Sequence, residues 1–89
     1  MCDTLFEKNE IINFIKQVYK DELEISKVND NDNFFELGGD SLSALFIMTK
    51  INETFKIDLK IRFLYIYYTP IAMSECIYRI LKGEDVSYE

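Results

Sequence analysis

Histidine is absent from this 89-residue chain, and only two cysteines, Cys2 and Cys76, are present. Without an imidazole there is no ordinary base to activate a serine or a cysteine, so the familiar catalytic triads are excluded. Two cysteines at no metal-ligand spacing, with no histidine beside them, argue against a zinc site. They make no disulfide framework either, which fits a reducing cytosol. Cations are also scarce: ten Lys and Arg stand against sixteen Asp and Glu, a net charge of −6. That balance argues against nucleic acid, whose phosphates are bound by clustered Lys and Arg. No apolar run approaches the roughly 20 residues of a membrane span, and the N-terminus lacks the basic-then-apolar pattern of a signal peptide. No low-complexity linker or internal repeat is visible.

What is present is apolar material: 48% of residues are hydrophobic and 15% aromatic, enough for a compact core without staples. A chain of this length forms one small domain, burying roughly 60% of its unfolded surface. Its pattern predicts an all-α class with four helical segments. Thr4 and Glu7 have capping-box spacing, which starts the first helix at Thr4. Ile11, Phe14, Ile15 and Val18 then recur at helical intervals, and the helix fades near Lys20. Residues 21–40 are rich in Asp and Asn and suit turns, with Leu23, Ile25, Val28, Phe34, Phe35 and Leu37 as core anchors. A connection this long in so small a domain tends to be functional. It also concentrates acids, Asp21, Glu22, Glu24, Asp30, Asp32, Glu36 and Asp40, against Lys27 alone. These make a solvated loop, a field steering basic partners inward, or both.

The second helix is predicted over residues 41–55. Ala44, Ile47, Met48, Ile51 and Phe55 form one buried stripe. Leu42, Leu45 and Phe46 lie on nearly the opposite side, and a domain this small cannot wrap a helix completely. Either they pack under the long loop or they form an exposed docking patch. Around residues 61–67 the aromatic letters Phe63, Tyr65 and Tyr67 fit a short helix or a strand, and a lone strand would have nothing to pair with. The last helix opens with Thr69 as N-cap and Pro70 in the first turn, where a missing N–H does no harm. Met73, Cys76, Ile77, Ile80 and Leu81 form its inward stripe, and Gly83 stops it. On that stripe Cys76 reads as a buried, inert residue rather than a nucleophile.

The most informative stretch is DNFFELGGDSL, residues 32–42. Gly38 and Gly39 permit positive φ or close approach of another molecule. Asp40 is a good N-cap, its carboxylate accepting from orphan N–H groups of the next turn. Ser41 then stands at the first helical position beside the positive end of the macrodipole, a place suited to a phosphoester. Asp40 also adjoins Ser41 as a possible base, but capping turns its carboxylate back over the helix end. No Walker-type lysine follows the glycines, so the loop is not a nucleotide cradle.

This string resembles the signature of the peptidyl carrier proteins, the thiolation domains of nonribosomal peptide synthesis, and the similarity extends more weakly over about residues 5–82. The resemblance implies a small four-helix bundle, three main helices plus a short third one, with a long loop between the first two. Length and cysteine usage add the expectation of a single carrier domain over residues 1–89, acting as a monomer in the cytoplasm. By the family likeness Ser41 is esterified with 4′-phosphopantetheine from coenzyme A, and Leu42 and Leu45 meet partners; Gly38, Gly39 and Asp40 shape the attachment site by their own chemistry, and Phe46 joins the candidate docking patch by its place on the same face of the helix. The expected partners are a phosphopantetheinyl transferase, which supplies base and magnesium, an adenylation enzyme, and a downstream condensation or tailoring enzyme. The chain itself is expected to be a non-catalytic carrier of aminoacyl, aryl or peptidyl thioesters.

The chain departs from the family at Phe46, where a polar residue is usual, and Phe46 is either a docking residue or locally packed. Tyr65 stands where the family commonly has phenylalanine. Two alternatives remain beside the peptidyl carrier: an acyl carrier of fatty-acid or polyketide type, and a helical interaction module that is never modified. Acyl carriers typically have an acidic second helix, whereas this one holds Lys50 and a single acid, Glu53. The initial methionine and the short tail suggest a free-standing carrier, although an excised domain with a start codon would read the same.

Overall fold

The computed structural model describes residues 7–83. Its elements, all helical, are α1 (Lys8–Leu23), α2 (Ser41–Phe55), α3 (Arg62–Ile66) and α4 (Pro70–Leu81). This is the expected all-α arrangement with a long α1–α2 connection and a short third helix. The core lies where α1 packs against both α2 and α4. From α1 it takes Ile11, Ile15, Val18 and Tyr19; from α2 it takes Ala44, Ile47, Met48, Ile51 and Phe55. All five members of the predicted α2 stripe are therefore inside, at the spacing a 3.6-residue period dictates. Phe14 sits at the edge and meets Phe55 ring-edge to face, with centroids 5.3 Å apart.

The bounds of α1 differ from the sequence expectation at both ends. Glu7 is extended, and its N–H donates to Glu10 Oε1 at 2.9 Å, so the capping pair is Glu7 with Glu10 and the helix opens at Lys8. Thr4, the expected cap, lies outside the described residues, as does Cys2. At the other end the helix runs on to Leu23, because burial of Tyr19 and half-burial of Leu23 reward another turn. It closes through Glu24 in the left-handed region, φ 56°, whose N–H donates to Lys20 O. Polar spacing marks turn propensity, and tertiary packing outweighs it here.

Two further devices hold the bundle's smaller parts. Asn52 reaches across from α2 to the segment before α3: its Nδ2 donates to Leu59 O at 3.0 Å, and Leu59 N–H donates to its Oδ1 at 2.8 Å. With both main-chain groups of Leu59 satisfied, Leu59 and Leu64 are drawn into the core, although the sequence pattern marks neither. At α4 the predicted cap is present, Thr69 Oγ1 accepting from Ala72 N–H at 3.2 Å with Pro70 following it. Met73, Cys76 and Ile77 are buried, Ile80 and Leu81 half-buried, and Gly83 follows at φ +88°. Burial pushes the Cys76 thiol up to about 11, which suits an inert core residue. Ser74 is buried as well, its hydroxyl donating to Ile71 O at 2.8 Å.

Candidate functional site at the start of α2

The α1–α2 connection is long but pinned. Its only fully buried side chain, Phe34, fits against Tyr19 with ring centroids 5.5 Å apart. Phe34 N–H donates to Tyr68 O at 2.9 Å, and Ile71 N–H to Asp30 O at 3.0 Å, which ties the loop to the start of α4. Asn33 Oδ1 accepts from Phe35 N–H at 2.8 Å, opening a turn closed by Leu37 N–H on Asn33 O. Part of the acidic run is used locally: Asp30 pairs with Lys16 at 2.8 Å, Glu22 with Lys50 at 3.7 Å, and Asp32 Oδ2 accepts from Asn29 N–H. Exposed pairs of this kind contribute little stability and serve mainly to orient the loop.

The two glycines have different reasons. Gly38 has φ +105°, a conformation L side chains rarely adopt, and open space where a Cβ would stand. Gly39 is pressed on the Phe34 ring, so that a Cβ there would collide with its Cζ and both Cε atoms. The sequence allows a positive φ or close approach of another molecule at either glycine. Only Gly38 faces space; the second makes room for the chain's own core.

Asp40 is the N-cap of α2, and its Oδ1 accepts from both Ser43 N–H and Ser43 Oγ at 2.9 Å. Those bonds hold its carboxyl below the usual carboxylate range. A carboxylate so engaged is a weak proton acceptor, and its Oδ1 is turned to Ser43 as the capping role predicts. Ser41 is exposed at the first helical position, with its Oγ 3.4 Å from the Tyr65 hydroxyl. That contact links residues 24 apart, and no local sequence pattern marks it.

Leu42, Leu45 and Phe46 are 60%, 51% and 48% exposed, which excludes packing under the loop. Phe35, expected as a core anchor, is instead 39% exposed, because Phe34 takes the single inward position and turns its neighbour outward. Phe35 packs edge-on to Phe34 at 5.0 Å and lies against Tyr65 at 5.2 Å. Ser41 therefore stands within an apolar rim that spans loop, α2 and α3.

The donor set suits a covalently held phosphoester. An accessible primary hydroxyl supplies the ester oxygen, and N–H groups of the first helical turn with the macrodipole favour the negative charge. Among the described residues no group of His, Cys, Asp or Glu is placed to hold a metal, and no helix is long and apolar enough to cross a membrane.

A helical bundle with an exposed serine hydroxyl at a helix start, and exposed apolar side chains on the same helix, fits the carrier class of protein. Residues 13–77 match the family model described as "Phosphopantetheine attachment site", and the chain belongs to that family of carrier domains, whose cofactor is covalent 4′-phosphopantetheine. The chain is 37% identical over 68 residues to surfactin synthase subunit 1 of Bacillus subtilis (strain 168), a match covering 76% of this chain and 2% of that one. It thus spans a small fraction of the relative's length. Among solved structures it resembles the HMG-ACPI domain of the CurA module from Lyngbya majuscula, with TM-score 0.81, 29% identity, and 93% and 88% of the two chains covered. A free-standing peptidyl carrier protein from Acinetobacter baumannii superposes with TM-score 0.81 at 22% identity over 84% and 96% of the chains, a likeness of fold.

Proposed function

We propose that this chain is a peptidyl-type carrier domain of nonribosomal peptide synthesis and that Ser41 is its attachment residue. One observation carries the assignment of the serine: its hydroxyl is exposed at the first position of α2, inside the matched region, at the end of a loop anchored by Phe34. In the attachment step Ser41 Oγ attacks the β-phosphorus of coenzyme A. The new O–P bond forms as the bond to adenosine 3′,5′-bisphosphate breaks, and the leaving group departs with the electron pair. The Oγ proton passes to a base on the phosphopantetheinyl transferase, since Asp40 is committed to Ser43. First-turn N–H groups face the phosphodiester charge and water does the rest.

When bound, the arm supplies a thiol that holds an aminoacyl, aryl or peptidyl group as a thioester. The chain's own contribution is presentation. Leu42, Leu45 and Phe46 dock the transferase, an adenylation enzyme and a condensation or tailoring enzyme in turn. The acids of the connection that remain solvated steer it toward basic docking surfaces. Tethering raises the effective concentration of the cargo at each active site. The peptidyl type is favoured over the fatty-acid or polyketide type by the likeness to surfactin synthase and by an α2 whose only charges are Lys50 and Glu53. The domain acts as a cytoplasmic monomer.

Intact mass after incubation with a broad-specificity transferase and coenzyme A tests the assignment. One phosphopantetheine addition that Ser41→Ala abolishes is expected. No addition, or addition that survives Ser41→Ala, would instead leave an unmodified interaction module or another attachment residue.

A further inference from the structure

Tyr65 brings a second hydroxyl to the start of α2, 3.4 Å from Ser41 Oγ. Its ring is set by a series of aromatic contacts running outward from the core. Tyr19 and Phe34 are both fully buried and meet at 5.5 Å; Phe34 meets Phe35 at 5.0 Å; Phe35 meets Tyr65 at 5.2 Å. Phe35 also lies 6.5 Å from Tyr68, on whose carbonyl the loop is hung. A phenylalanine at position 65 would complete the same stack. The hydroxyl adds nothing to the packing, since Tyr65 is 44% exposed and water could satisfy it. What it adds is one polar group aimed at Ser41.

We propose that Tyr65 is the hydrogen-bond donor that holds the phosphodiester once Ser41 is loaded, an inference that rests on Ser41 being the attachment residue. In the free serine either hydroxyl is able to donate. Esterification removes the Oγ proton, so afterwards only the phenol donates, to the bridging Oγ or to a non-bridging oxygen beside it. An ionised acceptor makes that bond shorter and stronger than the neutral one it replaces. The consequence is restricted rotation about the Ser41 Cβ–Oγ bond, so that the arm leaves the surface in one preferred direction.

The test uses the 89-residue chain loaded with transferase and coenzyme A, as wild type, Tyr65→Phe and Tyr78→Phe. Tyr78 lies on α4 against Lys8 and Lys82 and serves as the control. Loading is checked first by mass, with Ser41→Ala beside it; no gain, or a gain that survives that substitution, removes the attachment reading and this inference with it. The phosphorus chemical shift and the two couplings from the Ser41 β-protons to phosphorus then report the rotamer. Unequal couplings are expected in the wild type and in Tyr78→Phe. In Tyr65→Phe they converge and the phosphorus resonance moves, for a loss of about five-fold in rotamer preference, the scale of one exposed hydrogen bond. Averaged couplings in the wild type overturn the proposal without any variant. So does a loaded, folded Tyr65→Phe with wild-type couplings and shift.

Discussion

Gly39→Ala is expected to unfold much of this domain's margin of stability, although it adds one methyl group to a half-buried position. Backbone strain is not the cause, since the positive φ belongs to Gly38. The cause is Phe34, whose ring edge occupies the place where the new Cβ would stand. That ring is fully buried and packed on Tyr19, so moving it disturbs the core. Overpacking a dense core costs about 1–3 kcal/mol, and expelling a phenylalanine ring costs about 3–5 kcal/mol. A loss of about 2–4 kcal/mol is therefore expected. At 4–8 °C per kcal/mol for a domain of this size, even the lower figure drops Tm by roughly 8–16 °C. Urea unfolding followed by far-UV circular dichroism measures it. A double-mutant cycle identifies the mechanism: Phe34→Leu, costly alone, becomes much cheaper in the Gly39→Ala background because it vacates the collision. Gly38→Ala faces open space and carries only the strain of its φ, about 1–3 kcal/mol, without coupling to Phe34. A Gly39→Ala protein within about 0.5 kcal/mol of wild type, or strict additivity with Phe34→Leu, would refute this account.

Asn52→Ala should cost about 1–3 kcal/mol, because it strands the partly buried N–H and C=O of Leu59, and amide exchange at Leu59 should accelerate. Asp40→Ala should lower stability at neutral pH by removing the α2 cap. Because the folded-state pKa of Asp40 is depressed, its contribution is fully present above the ordinary aspartate value and disappears as pH falls through the lower, folded value. Unfolding curves of wild type and variant should thus converge in strong acid; a gap that persists there contradicts the capping role. Leu45→Ala and Phe46→Ser should each leave stability within about 0.5 kcal/mol, both side chains being about half exposed, while slowing loading by the transferase. Unchanged loading rates would remove these residues from the docking surface.

How much was legible depended on the range of the interaction. The α2 stripe, the Thr69–Pro70 start of α4 and the burial of Cys76 are set within one or two turns of helix, so periodicity and capping rules find them. The α1 start is just as local, and there two overlapping cap signals competed: Thr4 with Glu7 and Glu7 with Glu10. At the far end of α1, polar letters at Asp21 and Glu22 suggested a turn, whereas burial of Tyr19 and Leu23 carried the helix onward. Adjacent phenylalanines posed a different problem. Phe34 and Phe35 look alike in the chain, and only the depth of the pocket beside Tyr19 decides which goes inside.

By itself the amino-acid order determined the helical class, the place where α2 begins and the serine standing there, because each follows from contacts among near neighbours. Tertiary structure alone decided that Gly39 exists for Phe34, that Leu42, Leu45 and Phe46 face outward together, and that Tyr65 meets Ser41. Each outcome depends on where the elements settle: on Phe34 seated against Tyr19, on the outer face of α2 staying exposed, and on α3 reaching the start of α2. A one-dimensional pattern holds no distance between them until the core has closed.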